Sequence, residues 1–172
     1  MDFGLLTYLS SRREGRDPAL VAPVRAGLLH AADAIVRARD EHGHAPPLGT
    51  VSYWGCNGSV ARQALVLQAA NRLGPKPAFR VTALGALNHL FGRNCHGRSF
   101  VTSLGDRPPL HPHDRRSDGD KVETPWPGYL IGGAHPRATS WEDEQHDYRT
   151  NEIAINGNAA LLPTRAGLLD AP

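Results

Sequence analysis

The first half of the sequence predicts an all-α fold, and three observations carry that prediction. Apolar residues recur in steps of three and four, Gly- and Pro-bearing breaks separate the periodic runs, and strand-like alternation is absent over the first 92 residues. Residues 3–12 place Phe3, Leu6 and Leu9 on one face of a first helix. Asp17 is a predicted N-cap with Pro18 at the first helical position, where its missing N–H costs nothing. Behind them Val21, Val24, Leu28, Ala31, Ile35 and Ala38 form a core-facing stripe, with Arg25, Asp33 and Arg37 off it. The stretch EHGHAPPLG stops that helix. A third helix is expected over Val60–Leu73, closed by Gly74 and Pro75. A fourth runs from about Pro77 to Phe91, with Leu84, Leu87 and Phe91 aligned.

After this helical part (residues 2–92) the texture changes. Residues 93–150 are rich in Gly, Pro and His and keep no period, and a loop-rich stretch of this length usually carries function. In the last part, 151–170, Asn158 is a predicted cap for a closing helix, AALLPTRAGLL. Pro163 removes a backbone hydrogen bond near its start, so an irregular beginning is expected.

With 172 residues, 40% hydrophobic and 21% charged, the chain suits one globular domain with its own core. Net charge is +2, and the densest basic cluster, His111–Arg116, includes Asp114, so nucleic acid is not an expected partner. No uninterrupted apolar run approaches the roughly 20 residues needed to cross a bilayer, so no membrane partner is expected. The N-terminus has an acid at position 2 and does not read as a signal peptide. Cys56 and Cys95, 39 residues apart, are too few for a disulfide framework and read as buried free thiols.

Chemistry concentrates late in the chain. Glu152 stands alone between Asn151 and the apolar run Ile153, Ala154 and Ile155. His111, His113 and Asp114 have a spacing that can ligate zinc, but no further ligands follow at a recognisable spacing, so no metal or other cofactor is expected. His113 and Arg115 would point to one side of an extended stretch and could together hydrogen-bond a polar ligand, though a solvated basic loop has the same spacing. Trp54 and Trp126 could stack on a sugar ring or belong to the core. Asp143 reads either as a second functional acid or as a solvated loop acid.

Taken together, the ordered motifs WGCNG, LFGRNCHGRSFVTSLGDRPPLHPHDR, PGYLIGGAHP and WEDEQHDYRTNEIAINGNA resemble the C-terminal part of family 9 glycoside hydrolases, the cellulase and endoglucanase group. The resemblance spans most of residues 2–162 and is most specific over Ser99–Arg115 and Trp141–Ala159. It implies part of an (α/α)6 barrel, the six-hairpin glycosidase type, with a substrate cleft across one end. It also implies that Glu152 is the general acid, that His113 and Asp143 belong to the active site, and that Arg115 binds the sugar. Tyr148 would line the cleft, and Trp54 and His111 are candidate substrate contacts. Such an acid must keep its proton near neutral pH, and flanking Ile153 and Ile155 together with a nearby carboxylate would favour that.

The implied reaction is inverting hydrolysis of β-1,4-glucosidic bonds in cellulose or a related β-glucan. Inversion needs a second carboxylate roughly 6.5–9.5 Å from the acid. In the family that base comes from an aspartate motif far upstream, and no Asp-Ala-Gly-Asp segment occurs here. The chain is therefore expected to be the C-terminal portion of one catalytic domain, inactive alone, whose partner is the N-terminal half of the barrel. Asp114, Gly157 and Ala160 depart from the usual histidine, tryptophan and proline of the family, and the 134–140 loop is short. Two other readings are open: an exo-β-glucosaminidase on the same scaffold, and a non-catalytic helical module that binds sugar or a partner. Secretion is the family's habit.

Overall fold

The computed structural model describes residues 3–42 and 48–169, with side chains over 4–42 and 48–167. The Phe3 side chain, most of the break expected after the second helix, and residues 170–172 lie outside the described residues. Five helices of eight or more residues are found among the described residues: α1 (Phe3–Ser10), α2 (Pro18–His42), α3 (Cys56–Leu73), α4 (Pro77–Leu90) and α7 (Ile155–Leu169). Two single-turn helices, α5 (Arg115–Gly119) and α6 (Tyr148–Asn151), lie between α4 and α7. Only three isolated β-bridges occur among the described residues, so the expected all-α class holds.

Helix α3 is the centre of the helical layer, packed against α4, α7 and α2. The three-residue link from Leu73 to Pro77 makes α3 and α4 antiparallel neighbours. Their shared core is formed by Leu28 and Ala32 of α2, Val60, Ala64 and Leu67 of α3, and Phe79, Ala83 and Leu90 of α4, all at most 1% exposed. Fully burying one such Leu or Phe side chain contributes about 1.5–3 kcal/mol, so this seam dominates the layer's stability. The Asp17 carboxylate caps α2 as expected, accepting from the Ala19 N–H at 2.9 Å.

Several expectations need correction. Helix α3 starts at Cys56, four residues before Val60. The Tyr53 carbonyl accepts the Cys56 N–H, and Asn57 is clamped to the Gly132 and Ile131 carbonyls, so a tertiary contact extends the helix. On α4 the buried stripe is Phe79, Ala83, Ala86, Leu87 and Leu90, whereas Leu84 is exposed. Helix α2 is 25 residues long and apolar enough to cross a membrane by length and composition, contrary to the expectation from uninterrupted runs. Leu28 and Ala32 seat it against α3 and α4, as one wall of the helical layer. Cys56 is buried as expected, but Cys95 is exposed, with its thiol on the Ala138 carbonyl.

The last helix also begins earlier than expected, at Ile155, and runs unbroken through Pro163. Ala159, whose carbonyl loses its partner at Pro163, lies on the exposed face with the proline, where water can take the freed acceptor. Asn158 is not a cap. Its side chain accepts the Leu130 N–H at 2.8 Å and donates to the Leu130 carbonyl at 3.2 Å, tying α7 to the loop layer.

Where α7 meets α3, Gly58 faces Gly157 so closely that a Cβ on Gly58 would lie 2.8 Å from the Gly157 Cα. Residues 93–150 lie against this layer, anchored in the core by Phe100, Val101, Leu130 and Ile131. Gly133 shows how tight that contact is. Its φ is 101°, and a Cβ there would stand 2.5 Å from the Asn57 side chain.

Candidate active site

Three bridges knit the loop layer. Val101 pairs with Leu130, Ile131 with Ile153, and Glu152 with His113 in parallel sense. The His113 N–H donates to the Asn151 carbonyl at 2.9 Å, and the Ile153 N–H donates to the His113 carbonyl at 3.4 Å. Directly paired residues carry their side chains on one side of the pleat, so His113 and Glu152 face the same way. Glu152 directly follows α6, a turn that the sequence builds locally. Asp147 caps it by accepting from the Arg149 N–H at 3.2 Å, and the Thr150 hydroxyl donates to the other carboxylate oxygen at 2.6 Å.

Asn151, fully buried, is the hub behind Glu152. Its Oδ1 accepts the Trp141 indole N–H at 3.2 Å. Its Nδ2 donates to the His111 carbonyl at 2.5 Å and, at 3.4 Å, to Asp143 Oδ1 and the Glu144 carbonyl. Asp143 completes the frame. Oδ2 accepts from Arg98 at 3.1 Å and from the Leu110 N–H at 2.8 Å, while Oδ1 also accepts the His111 N–H at 3.0 Å. Four donors from three chain segments thus converge on one carboxylate. Asp143 faces inward to the loops rather than standing as a free acid.

Of the remaining candidates, His111, His113, Arg115 and Tyr148 are carried by the chain segments that this frame joins, and none of them lines the Glu152 pocket. His113 Nδ1 lies 2.7 Å from the Gln145 carbonyl, which fixes Nδ1 as the protonated nitrogen and leaves Nε2 for a ligand. The His113 ring meets Tyr148 edge-on at 6.3 Å, and Tyr148 is 59% exposed. Arg115 is exposed and its guanidinium has no partner among the described residues. The His111 side chain is exposed too, while its backbone is held at both ends. Glu152 lines a pocket of about 60 Å³ with Tyr53, Trp54, Ser59, Arg62 and Leu130. Its carboxylate makes no hydrogen bond or ion pair with any other described residue. Trp54, 48% exposed, therefore shares the pocket with Glu152.

The flanking isoleucines do not shield Glu152 as the sequence suggested. Ile155 is 89% exposed and Ile153 packs on the core. Electrostatic bias falls instead on Asp147 and Arg149 of the preceding turn. Burial pushes the Asp147 carboxyl up, but bonds from Thr150 and Arg149 outweigh it and hold the group below its ordinary range. The same pairing raises Arg149, as pairing with Asp114 raises Arg116. Among the described residues no group of three or more His, Cys, Asp or Glu side chains is placed to hold a metal.

Sequence reasoning missed Tyr53 and Arg62 in the pocket wall, and Arg98, Trp141 and Asn151 as its frame. Trp141 and Asn151 stand within one of the two most specific stretches, Trp141–Ala159, and Arg98 immediately precedes the other, which is the signal that could have found them. Tyr53 and Arg62 left no such signal, because their role follows from where α3 docks.

A family model described as "Glycosyl hydrolase family 9" matches residues 27–164. Endoglucanase D of Acetivibrio thermocellus is 51% identical over 98% of this chain, which corresponds to 27% of that protein. The xyloglucan-specific endo-beta-1,4-glucanase BoGH9A of Bacteroides ovatus is 30% identical over 96% of the chain and 31% of its own length. Among solved structures, a metagenome-derived glycoside hydrolase family 9 endoglucanase superposes with a TM-score of 0.86 at 29% identity, over 98% of this chain and 32% of its own. AaCel9A, solved with cellobiose-like isofagomine, gives 0.82 at 30% identity, over 98% and 35%. The chain spans about a quarter to a third of the length of these relatives. Its helical layer fits part of the (α/α)6 barrel of those enzymes.

Proposed function

Because the chain belongs to glycosyl hydrolase family 9, we propose that it carries the acid-bearing part of an inverting β-1,4-glucanase site. Glu152 is the general acid. It protonates the departing glycosidic oxygen, without which a sugar alkoxide is a poor leaving group. The observation that carries this reading is the pairing of Glu152 with His113 on one side of the ladder, with the Glu152 carboxylate free of partners among the described residues in a pocket shared with Trp54. A carboxylate kept without internal hydrogen bonds is available to a ligand oxygen. His113 Nε2 and the Arg115 guanidinium supply hydrogen bonds to sugar hydroxyls, Tyr148 and Trp54 supply apolar faces, and His111 is a further candidate contact.

Asp143 acts in this reading as a buttress. Both its oxygens already accept from Arg98, Leu110, His111 and Asn151, so activating water would require breaking that set. The water-activating base is an aspartate outside this sequence, in the other half of the barrel. The substrate is cellulose or a related β-1,4-glucan; the relative BoGH9A is named as an endo-beta-1,4-glucanase.

Activity follows from counting carboxylates. Acid catalysis alone contributes typically about 10²–10⁴-fold, well short of a full glycosidase acceleration. The purified 172-residue chain is expected to hydrolyse neither carboxymethylcellulose nor an aryl cellobioside above background. Adding the N-terminal barrel half of a relative in trans should restore turnover, and Glu152→Gln should abolish it. Turnover that survives Glu152→Gln in the complemented enzyme would remove Glu152 from the acid role.

A further inference from the structure

The geometry points to a second carbohydrate-binding surface at Trp126, a platform for the pyranose faces of a β-linked glucan chain running out from the Glu152 pocket. It rests on the glucan reading above for its ligand class, and on separate residues for its geometry.

Trp126 is 40% exposed, yet its position is fixed. It sits between Pro125 and Pro127, and its carbonyl accepts the hydroxyl of fully buried Thr102 at 2.6 Å. The same hydroxyl accepts the Tyr129 N–H at 2.9 Å, and the Gly128 N–H donates to the Thr102 carbonyl at 2.8 Å. The indole N–H is taken by Asp120 at 2.5 Å, which sets the ring's rotation. Beside it Tyr129 lies 6.4 Å away with its ring tilted by 34°, and the Arg116 guanidinium stands 5.6 Å from both ring centroids. Asp114 holds that guanidinium by two hydrogen bonds, at 3.1 and 3.3 Å.

Trp141 offers the internal contrast. It is 8% exposed, edge-on to Phe100, with its N–H on Asn151, as a packing residue should be. Trp126 has the same satisfied N–H but leaves its ring in water. Arg116 lies over the ring and Asp120 at its edge, so a pyranose would stack its C–H face on the ring surface that Arg116 leaves open, with its equatorial hydroxyls within reach of both charges. A lipid or aliphatic peptide would gain nothing from those charges. The platform is close to the site along the chain: Leu130, four residues after Trp126, lines the Glu152 pocket, and Arg116 follows the sugar-binding candidate Arg115.

The test is a titration of the ¹⁵N-labelled chain with cellohexaose, read at the indole N–H signals of Trp54, Trp126 and Trp141. Trp54 and Trp126 should shift together while Trp141 stays. Trp126→Ala should weaken cellohexaose binding about fivefold to tenfold and leave cellobiose binding unchanged. An unmoved Trp141 signal in the variant reports an intact fold, and Trp126→Phe, which keeps a ring, should retain most of the affinity. If Trp54 shifts and Trp126 does not, the platform is wrong and the glucan reading stands. If neither shifts, both fail. A variant that does not fold leaves the wild-type titration to decide alone.

Discussion

Asp143 Oδ1 and Asn151 Nδ2 lie 3.4 Å apart, and between them they hold the two chain segments that present His113 and Glu152. The contact is one edge of a frame that includes Arg98, Trp141 and the backbone of residues 110–111. Asp143 is thus expected to matter to the fold as much as to the reaction.

Replacing Asp143 by Asn tests that directly. The amide turns one acceptor oxygen into a donor facing an N–H, and leaves the Arg98 charge without its partner. A loss of about 1–3 kcal/mol in unfolding free energy is expected, measured by urea denaturation. Glu152→Gln, which breaks no hydrogen bond with a described residue, should stay within about 0.5 kcal/mol of the parent. Equal stability for the two variants would argue that Asp143 acts in the chemistry instead.

Stability should fall on acidification in two separable steps. Burial, reinforced by the neighbouring His96, lowers His89 from 6.5 to about 4. The unfolded chain therefore binds this proton more readily than the native one between those values. Stability is complete above pH 6.5 and declines as pH falls toward 4, by on the order of 3 kcal/mol. Asp147, held below its ordinary 3.8, withdraws its contribution only at more acidic pH still. Denaturation midpoints at pH 7, 5.5 and 4.5 should show the first decline, and His89→Gln should flatten it. A flat profile for the parent would contradict the burial assigned to His89.

The glycines at the α3–α7 contact should respond unequally to alanine. A Cβ on Gly58 would stand 2.8 Å from the Gly157 backbone, so Gly58→Ala must push the helices apart. A cost of about 1–3 kcal/mol is expected. A Cβ on Gly157 meets only Gly58 Cα at 3.6 Å and Leu130 at 4.0 Å. Gly157→Ala should therefore be neutral, or stabilising by up to about 1 kcal/mol through helix propensity. Thermal unfolding of the pair decides, and a reversed order would refute the contact.

Helices α2 and α4 were legible because each carries enough periodic apolar residues to announce a buried face. The starts of α3 and α7 were not. Cys56 and Asn57 become helical by bonding to residues 131–134, and Asn158 spends its side chain on Leu130 rather than on a cap, choices made by tertiary contacts. Within the site, the motif resemblance supplied the candidate residues. It could not show that Asp143 turns inward, or that Ile155 leaves Glu152 unshielded. The first follows from loops whose neighbours lie 30 or more residues away in sequence, the second from the start of α7 turning Ile155 to the outside.

The loop layer has a consequence for how such a site can diversify. Its shape is set at scattered pins, where the side chains of Asn94, Ser99, Thr102, Asp143, Asn151 and Asn158 bind main chain, and not by continuous strand ladders. Strand ladders propagate a one-residue insertion along their register, whereas isolated pins confine it to the span between two of them. A span between two pins, such as 122–124, can therefore change length while Glu152 stays where it is. Under the glucan reading proposed above, such spans are where substrate preference is expected to vary without rebuilding the frame around Glu152.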